Sequence, residues 1–312
     1  MRLAGAVLAA LVAFVFCSAA EAQQVDFKRI SRSGDELLSY RWKDAERHEH
    51  AVAFTLTRDA IKEAEASFRE FSMDAMWRTL ELDLRDEVEK FGNGARIDLS
   101  RNIEGLRWTL KARDQKSAEL LSQKVSERLE KSQQAYLKSY MRRMVGERRV
   151  MVDFAAATTA MQSPLRAVSK ALGDVPDVAS DDRARIALAL SFFQEIPYAV
   201  LEDKQRRGGD FLPGPALLAQ NRGDCDSKAV ALAAVLKDYT RWRKLVIVTM
   251  PGHAILAVDL PAQEGDWIVR SGGRQYVALE ASGPVMAQIG KVGNITAKYL
   301  RDAREIEIWP LN

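Results

Sequence analysis

The chain has 312 residues, of which 47% are hydrophobic, 29% charged and 8% aromatic. This composition is too apolar for a disordered protein and too charged for a membrane protein with many spans. The 46 basic and 43 acidic side chains leave a net charge of +3, which provides no broad basic field for nucleic acid. Two cysteines and three histidines exclude a disulfide-stapled scaffold and most zinc sites. At ~100–200 residues per domain, the length indicates one large or two ordinary domains.

The first 22 residues have the layout of a secretory signal peptide. Arg2 precedes an apolar run from Leu3 to Phe16, and Ala20-Glu21-Ala22 provides a small-x-small cleavage site. We therefore predict that residues 1–22 are removed and that the mature chain is periplasmic or secreted. The alternative is an uncleaved anchor, because Leu3 to Ala20 approaches the ~18–20 residues that span a membrane. A membrane tether is expected only in that case.

The first half of the mature chain combines strand and helix patterns. A polar stretch, Gln23–Asp35, comes first. Apolar residues at intervals of three or four predict helices over Asp59–Phe91 and Asp114–Val145, the second roughly 45 Å long. Strand-like segments lie at Leu37–Trp42, Ala51–Thr57, Ala95–Leu99, Leu106–Leu110 and Arg148–Phe154. Residues 23–155 are therefore assigned to an N-terminal α+β domain with long helices.

Two polar clusters in this half are interpreted as structural. The basic stretch that includes Arg142 and Arg143 is more typical of a solvated helix face than of a phosphate or lipid site. His48 and His50 have the chemistry of metal ligands, but no third or fourth ligand cluster accompanies them. We interpret the two histidines as part of a polar loop or strand end, and we predict neither a metal nor another cofactor.

A change in pattern marks the second half, which we assign to residues 156–312. The segment Met161–Asp182 contains Pro164, Gly173 and Pro176, and the domain transition is placed just before it. Asp182–Glu195 is helical in pattern and ends shortly before Pro197, as helices do. Lys204–Gly214 has the composition of a loop.

Cys225 is the candidate nucleophile. Cleavage of the signal peptide removes Cys17 and leaves Cys225 without an internal disulfide partner. Asp224 is a good N-cap residue and an apolar helix pattern follows, so Cys225 is predicted in the first turn of a helix. Backbone N–H groups and the helix dipole favour a thiolate there. Because Asp224 and Asp226 oppose ionisation, a nearby cation is expected.

His253 is the expected general base, since it is the only histidine in the second half and opens an apolar strand. Glu280 lies on the strand-like segment Tyr276–Ser282, where a carboxylate needs a partner. Nucleophile, base and orienting acid would form a triad. Asp259 and Asp266 compete for the third role, although Asp259 is six residues along the strand from His253, ~20 Å at the usual rise.

The segments GDCDSKAVALAAVLK, PGHAILAVDL and YVALEAS resemble the transglutaminase-like superfamily, near the bacterial transglutaminase-like cysteine proteinases. The resemblance covers roughly Asp182 to Ser282. It implies a papain-like core, with a helix against an antiparallel sheet, and a Cys225–His253–Glu280 triad. Family members usually carry Asp where Glu280 stands. The resemblance also prompts a speculative role for Gln194 as an oxyanion donor, together with the Cys225 amide.

Two functions follow as expectations. The first is an exported cysteine hydrolase, a peptidase or amidase with a thioester intermediate, acting on a protein or peptide substrate. An amine in place of water would make it a transglutaminase. The second is a catalytically inactive periplasmic binding or assembly module on the same fold. Calcium binding by Asp224 and Asp226 is not expected, because two alternating carboxylates do not make a coordination shell.

Overall fold

The computed structural model describes residues 24–69, 71–102, 105–146, 149–176, 178, 181–201, 211–240, 243–283 and 286–311. The proposed signal peptide and most of the predicted Lys204–Gly214 loop lie outside these residues. The described chain is mixed α+β, with sheets whose neighbouring strands are antiparallel. None of the described helices combines the length and the apolar composition needed to cross a membrane.

An antiparallel sheet in the order β1-β2-β3 begins the fold. Its strands are β1 (Gln24–Arg32), β2 (Asp35–Lys43) and β3 (Glu49–Thr57). The alternation that predicted β2 and β3 reflects one buried face, to which Tyr40 and Phe54 belong. β1 lies in the stretch that we described only as polar. Most of its side chains are exposed or partly exposed, so it carries no alternation.

The predicted helix over Asp59–Phe91 is two helices, α1 (Arg58–Arg69) and α2 (Met73–Phe91). The division has a local cause, since the Ser72 hydroxyl accepts the Ala75 N–H at 3.3 Å and caps α2. The hairpin β4 (Arg96–Asn102) and β5 (Gly105–Lys111) comes next. Then α3 (Gln115–Ser139) packs against α2.

α3 is shorter than the predicted helix over Asp114–Val145. It ends at Ser139, Met141 has a φ of +53°, and the chain continues as a hairpin of β6 (Arg142–Val145) and β7 (Arg149–Val152). Arg142 and Arg143 therefore lie on a strand and not on a solvated helix face. Their guanidinium groups stack over the rings of Phe71 and Trp309, at 5.3 and 5.4 Å from the centroids.

The position chosen for the domain transition lies within a helix. α4 (Phe154–Gly173) runs through residue 155 and contains Pro164. α4 packs against β3 on one side and, on another, against a helix of the second half, α7 (Cys225–Tyr239). One hydrophobic core includes side chains from β2, β3, α4 and the helices that follow. The first sheet therefore shares its core with the second half of the chain.

The second half places helices beside a five-stranded antiparallel sheet. The helices are α5 (Asp182–Glu195), α6 (Gly214–Gln220), α7 (Cys225–Tyr239) and α8 (Asn294–Asp302). The strands are β8 (Leu245–Met250), β9 (His253–Val258), β10 (Ile268–Ser271), β11 (Arg274–Leu279) and β12 (Glu307–Leu311), in the order β10-β11-β9-β8-β12. The predicted α5 is confirmed, and β10 and β11 form a hairpin. The hairpin turns at Gly272-Gly273, both at positive φ.

α7 lies at the centre of this half. Its residues from Ser227 to Leu236 are all buried. The helix contacts β9 on the sheet and α4 on the other side. Burial on all sides explains why charged residues are few along α7, and it gives the helix one defined position relative to the sheet.

The packing of the first sheet on the second half can be tested at a hydrogen bond between β2 and α6. The buried Tyr40 hydroxyl donates to the Leu218 carbonyl at 2.6 Å. We expect Tyr40→Phe to lower the free energy of unfolding by about 0.5–1.5 kcal/mol, because the Leu218 carbonyl loses one donor and keeps the Asn221 N–H. Urea unfolding followed by circular dichroism measures the change. An unchanged midpoint and slope would contradict this packing of the first sheet on the second half.

Candidate active site

The start of α7 is held by its own N-cap and by a neighbouring strand-like segment. Asp224 Oδ1 accepts the Ser227 N–H at 3.2 Å, and Asp226 Oδ1 accepts it at 2.8 Å. The Gly223 N–H donates to the Pro197 carbonyl, and the Gly223 carbonyl accepts the Ala199 N–H at 3.0 Å. Cys225, a free thiol, is therefore the first residue of a well-anchored helix, as the sequence predicted.

Gly223 is required at its position by close packing. A Cβ atom placed there would lie 2.6 Å from Leu217 Cδ1, closer than real Cβ contacts allow. The loop before the nucleophile helix can approach α6 this closely only with glycine at residue 223.

His253 and Glu280 form a hydrogen-bonded pair. His253 pairs with Met250 at the end of the β8–β9 hairpin, whose turn contains Gly252 at a φ of +70°. Its Nε2 atom lies 2.8 Å from Glu280 Oε1. Glu280 follows directly after β11 and is buried. The predicted acid therefore orients the predicted base.

Two hydroxyl groups complete the surroundings of the Glu280 carboxylate. Thr296, in α8, donates to Oε2 at 2.7 Å, and Ser282 donates to Oε1 at 3.0 Å. Burial is the largest single influence on the pKa of Glu280, and it raises that pKa. The hydrogen bond and charge of His253, together with the hydrogen bonds from Thr296 and Ser282, lower the pKa and outweigh burial. The pKa of Glu280 is lowered, so the carboxylate is ionised at neutral pH.

Cys225 and His253 line one cavity of about 330 Å³. Because His253 Nε2 is bound to Glu280, Nδ1 is the ring nitrogen left for the thiol. The backbone N–H groups of Ala254 and Asp226 also act on Cys225 and favour its thiolate. The three residues chosen from the sequence thus converge: two share a cavity, and the third is bonded to one of them.

The competing acids lie elsewhere. Asp259 Oδ1 accepts the Lys244 N–H at 2.6 Å, at the far end of β9. Asp266 receives two hydrogen bonds from Arg183, at 2.8 and 3.0 Å. Neither carboxylate is bonded to His253, whose ring is hydrogen-bonded to Glu280.

The thiol itself differs from the expectation of a stabilised thiolate. Burial, then the charges of Asp226 and Asp224, raise the pKa of Cys225 to about 12. The helix N-terminus and the Ala254 amide act in the opposite direction but are outweighed. The resting site therefore contains a neutral thiol at neutral pH, and its proton must be removed during reaction.

Gln194 does not take the position expected for an oxyanion donor. It is buried, and its Nε2 donates to the carbonyls of Glu280 at 2.7 Å and Ala287 at 2.9 Å. These two bonds use both amide protons. Gln194 also lines a different cavity from Cys225. It supports the backbone that carries Glu280 and has no proton left for an oxyanion.

Two buried ionisable residues behind the thiol were missed by the sequence analysis. Lys228 is fully buried in α7, and its Nζ donates to the Ile196 carbonyl. Glu195 is buried at the end of α5, and its Oε2 atom has no hydrogen-bond partner in the described part of the chain. The available signal was a lysine within the otherwise apolar run after Ser227. No comparable pattern marked Thr296.

The histidine pair of the first half lies at a second cavity, of about 740 Å³. His50 Nε2 lies 2.8 Å from Asp44 Oδ2, and His48 Nδ1 lies 3.4 Å from the same oxygen. Among the described residues, no group of three or more His, Cys, Asp or Glu side chains is placed to hold a metal ion.

No protein-family model, curated protein or solved structure matches this chain. The resemblance to the transglutaminase-like superfamily therefore depends on the motif residues and on the geometry described above.

The lowered pKa of Glu280 predicts a pH-dependent contribution to stability. The carboxylate stabilises the fold above its unfolded pKa, and this contribution is lost as the pH falls through the folded value. We expect the unfolding free energies of wild type and Glu280→Gln to differ most near neutral pH and to converge in acid. Urea unfolding between pH 3 and pH 7 measures this, with the exposed Glu305→Gln as the control. A difference independent of pH would contradict the assigned ionisation.

The charge of Asp226 predicts a change in thiol reactivity. Because this charge is the largest electrostatic influence raising the pKa of Cys225, Asp226→Asn should lower that pKa and accelerate alkylation at pH 8. We expect an increase of about three- to tenfold, because a fall of about one unit in the thiol pKa raises the thiolate fraction about tenfold. Iodoacetamide labelling followed by mass spectrometry gives the rate. Asp259→Asn, far along β9, should leave the rate unchanged.

Proposed function

We propose that this protein is an exported transglutaminase-like cysteine hydrolase, a peptidase or amidase that uses Cys225, His253 and Glu280. The observation that carries the proposal is the His253–Glu280 hydrogen bond at the cavity that also contains the Cys225 thiol. An ionised acid, a histidine with a free Nδ1 and a thiol on a helix N-terminus are the groups that thiol-dependent acyl transfer needs.

The acylation step follows from the neutral thiol. Cys225 Sγ attacks the substrate carbonyl carbon while its proton passes to His253 Nδ1. Glu280 stabilises the imidazolium that forms, through Nε2. In this proposal the Cys225 backbone amide, which belongs to the first turn of α7 where N–H groups lack an intrahelical acceptor, donates to the developing oxyanion. His253 then gives the proton to the leaving amine, and a thioester remains.

The deacylation step reverses these roles. His253 removes a proton from water, whose oxygen attacks the thioester carbonyl, and the Cys225 sulfur leaves with that proton. The products are a carboxylic acid and the free thiol. A primary amine in place of water would form a new amide, which is the transglutaminase alternative.

The surroundings of the thiol suit a protein or peptide substrate. The cavity is open to solvent, and Tyr198 and Val200, both exposed, belong to its lining. Met151 and Phe154 contribute further apolar surface to the same lining. Apolar walls with a few polar groups are typical of sites that bind an extended chain with side chains of mixed character. The packing of α7 on β9 supports a papain-like core as part of this proposal.

A catalytically inactive binding or assembly module is the second candidate. One observation favours it, the pKa of about 12 for Cys225, because a thiol that stays protonated has little intrinsic reactivity. The two candidates differ in whether His253 accelerates chemistry at Cys225.

Export remains part of the proposal. It is supported by the signal-peptide pattern of residues 1–22. The periplasm or the extracellular medium is the proposed location, and a tether to the membrane would require the segment to stay uncleaved.

A simple acyl ester tests the proposal without knowledge of the natural substrate. We expect p-nitrophenyl acetate to acetylate Cys225, with release of p-nitrophenol, in a burst of one equivalent. His253→Ala should lower the burst rate about 10²–10⁴-fold, the usual contribution of a general base. His48→Ala, an exposed histidine at the other cavity, is the matched control.

The burst is read by absorbance and the modified residue by mass spectrometry. Cys225→Ala should abolish the burst while the circular dichroism spectrum stays that of the wild type. Equal burst rates in wild type and His253→Ala would reject the hydrolase and favour the inactive module.

A further inference from the structure

A buried cation lies directly behind the candidate nucleophile. Lys228 follows Cys225 by three residues and therefore lies one turn along α7 on the same face. Helical side chains lean toward the helix N-terminus, which directs the Lys228 side chain toward the turn that carries Cys225. The Lys228 side chain is fully buried, and its Nζ donates to the Ile196 carbonyl.

Burial of a lysine is costly unless its charge has partners. Methionine has a similar shape and would fill an apolar site without this cost. The titratable groups that act on Lys228 are Glu195 at the end of α5, Asp224 at the N-cap of α7, and Cys225 in its first turn. Burial lowers the pKa of Lys228 to about 8, against the attraction of these groups, so the ammonium form predominates at neutral pH.

The charged groups around the thiol indicate a role for the Lys228 ammonium group. Asp224 and Asp226 oppose ionisation of Cys225, while His253 faces the same cavity from β9. Arg149 and Glu307, which line the cavity from β7 and β12, are paired with each other at 2.6 Å. Glu195, on the inner side, is buried with an unpartnered Oε2 and has a pKa raised to about 7. Lys228, one turn along α7 from the thiol and fully buried, is a cation on the inner side of the site at neutral pH.

We propose that Lys228 is a positioning residue of the proposed thiol hydrolase, whose ammonium group offsets Asp224 and Asp226 when negative charge develops at Cys225. The inference rests on the proposed function. The thiol proton still passes to His253, and Lys228 remains protonated throughout. The Lys228–Ile196 hydrogen bond keeps the charge at a constant place relative to the helix start.

The pH profile of Cys225 alkylation by iodoacetamide tests this role. Below about pH 8, where the Lys228 ammonium predominates, Lys228→Met should lower the alkylation rate about tenfold, which is the effect of a rise of about one unit in the thiol pKa; above that pH the two rates should converge. Lys228→Arg keeps the charge and should stay within about threefold of wild type. Lys237→Met makes the same substitution on the same helix, ~18 Å from the thiol at 1.5 Å per residue, and should leave the profile unchanged.

A lysine that only packs the core would give a different result. In that case Lys228→Met would lower the melting temperature but keep the wild-type alkylation profile, and the inference would be overturned. A shift of equal size in Lys228→Met and Lys228→Arg would also overturn it, because the effect would then not follow the charge.

If the Lys228→Met variant does not fold, a second measurement that does not use it tests the same inference. Electrostatic coupling between two groups is reciprocal. Because the wild-type thiol is neutral at the pH where Lys228 titrates, Cys225→Asp supplies the negative charge and Cys225→Ser is its neutral control. The Lys228 ammonium, followed by NMR of ¹⁵N-lysine-labelled protein, should titrate at higher pH in Cys225→Asp than in Cys225→Ser. Identical titrations would overturn the inference.

The failure of this inference is distinguishable from failure of the proposed function. The function fails if p-nitrophenyl acetate reacts equally with wild type and His253→Ala. The Lys228 inference fails if the alkylation profile of Cys225 is the same with and without the Lys228 charge, whether or not His253 accelerates acylation.

Discussion

The buried carboxylate of Glu280 connects more of the candidate site than any other group. It receives hydrogen bonds from His253 at the start of β9, from Thr296 in α8 and from Ser282 beyond β11. A buried carboxylate with fewer donors would take up a proton and release the histidine. The orientation of His253 toward the cavity therefore depends on α8 as much as on the sheet, although α8 contributes nothing to the cavity lining.

The surroundings of Glu280 and Cys225 have opposite effects on the ionisation of the two groups. At Glu280, hydrogen bonds outweigh burial and keep the group charged, whereas at Cys225 burial and two aspartates keep the group neutral. A neutral thiol requires that proton removal accompany attack, as at a serine nucleophile, and makes the histidine more important than in a preformed ion pair. The same neutrality limits unwanted oxidation or alkylation of the thiol, since the thiolate is the reactive form.

The sequence predicted the parts of the site that depend on local signals. Asp224 before an apolar run marked the helix start at Cys225, and the apolar strands after Met250 and Gly273 placed His253 and Glu280. Features determined by distant contacts could not be predicted in this way. β1 is mostly solvent-exposed, the end of α3 depends on the β6–β7 hairpin, and the Gln194 amide protons are used by carbonyls 86 and 93 residues away.

The last turn of α5 and the two residues after it join the acid side of the site to the nucleophile side. Gln194 donates to the backbone carbonyl of Glu280, and the Ile196 carbonyl accepts Lys228 Nζ from α7. One residue later, the Pro197 carbonyl accepts the Gly223 N–H of the loop that leads to Cys225. Three contacts from one helix end thus fix the relative positions of Glu280 and α7. All three contacts have backbone carbonyl acceptors, and two of these carbonyls, those of Ile196 and Pro197, belong to this helix end itself. A shift of this helix end would therefore move both halves of the site together.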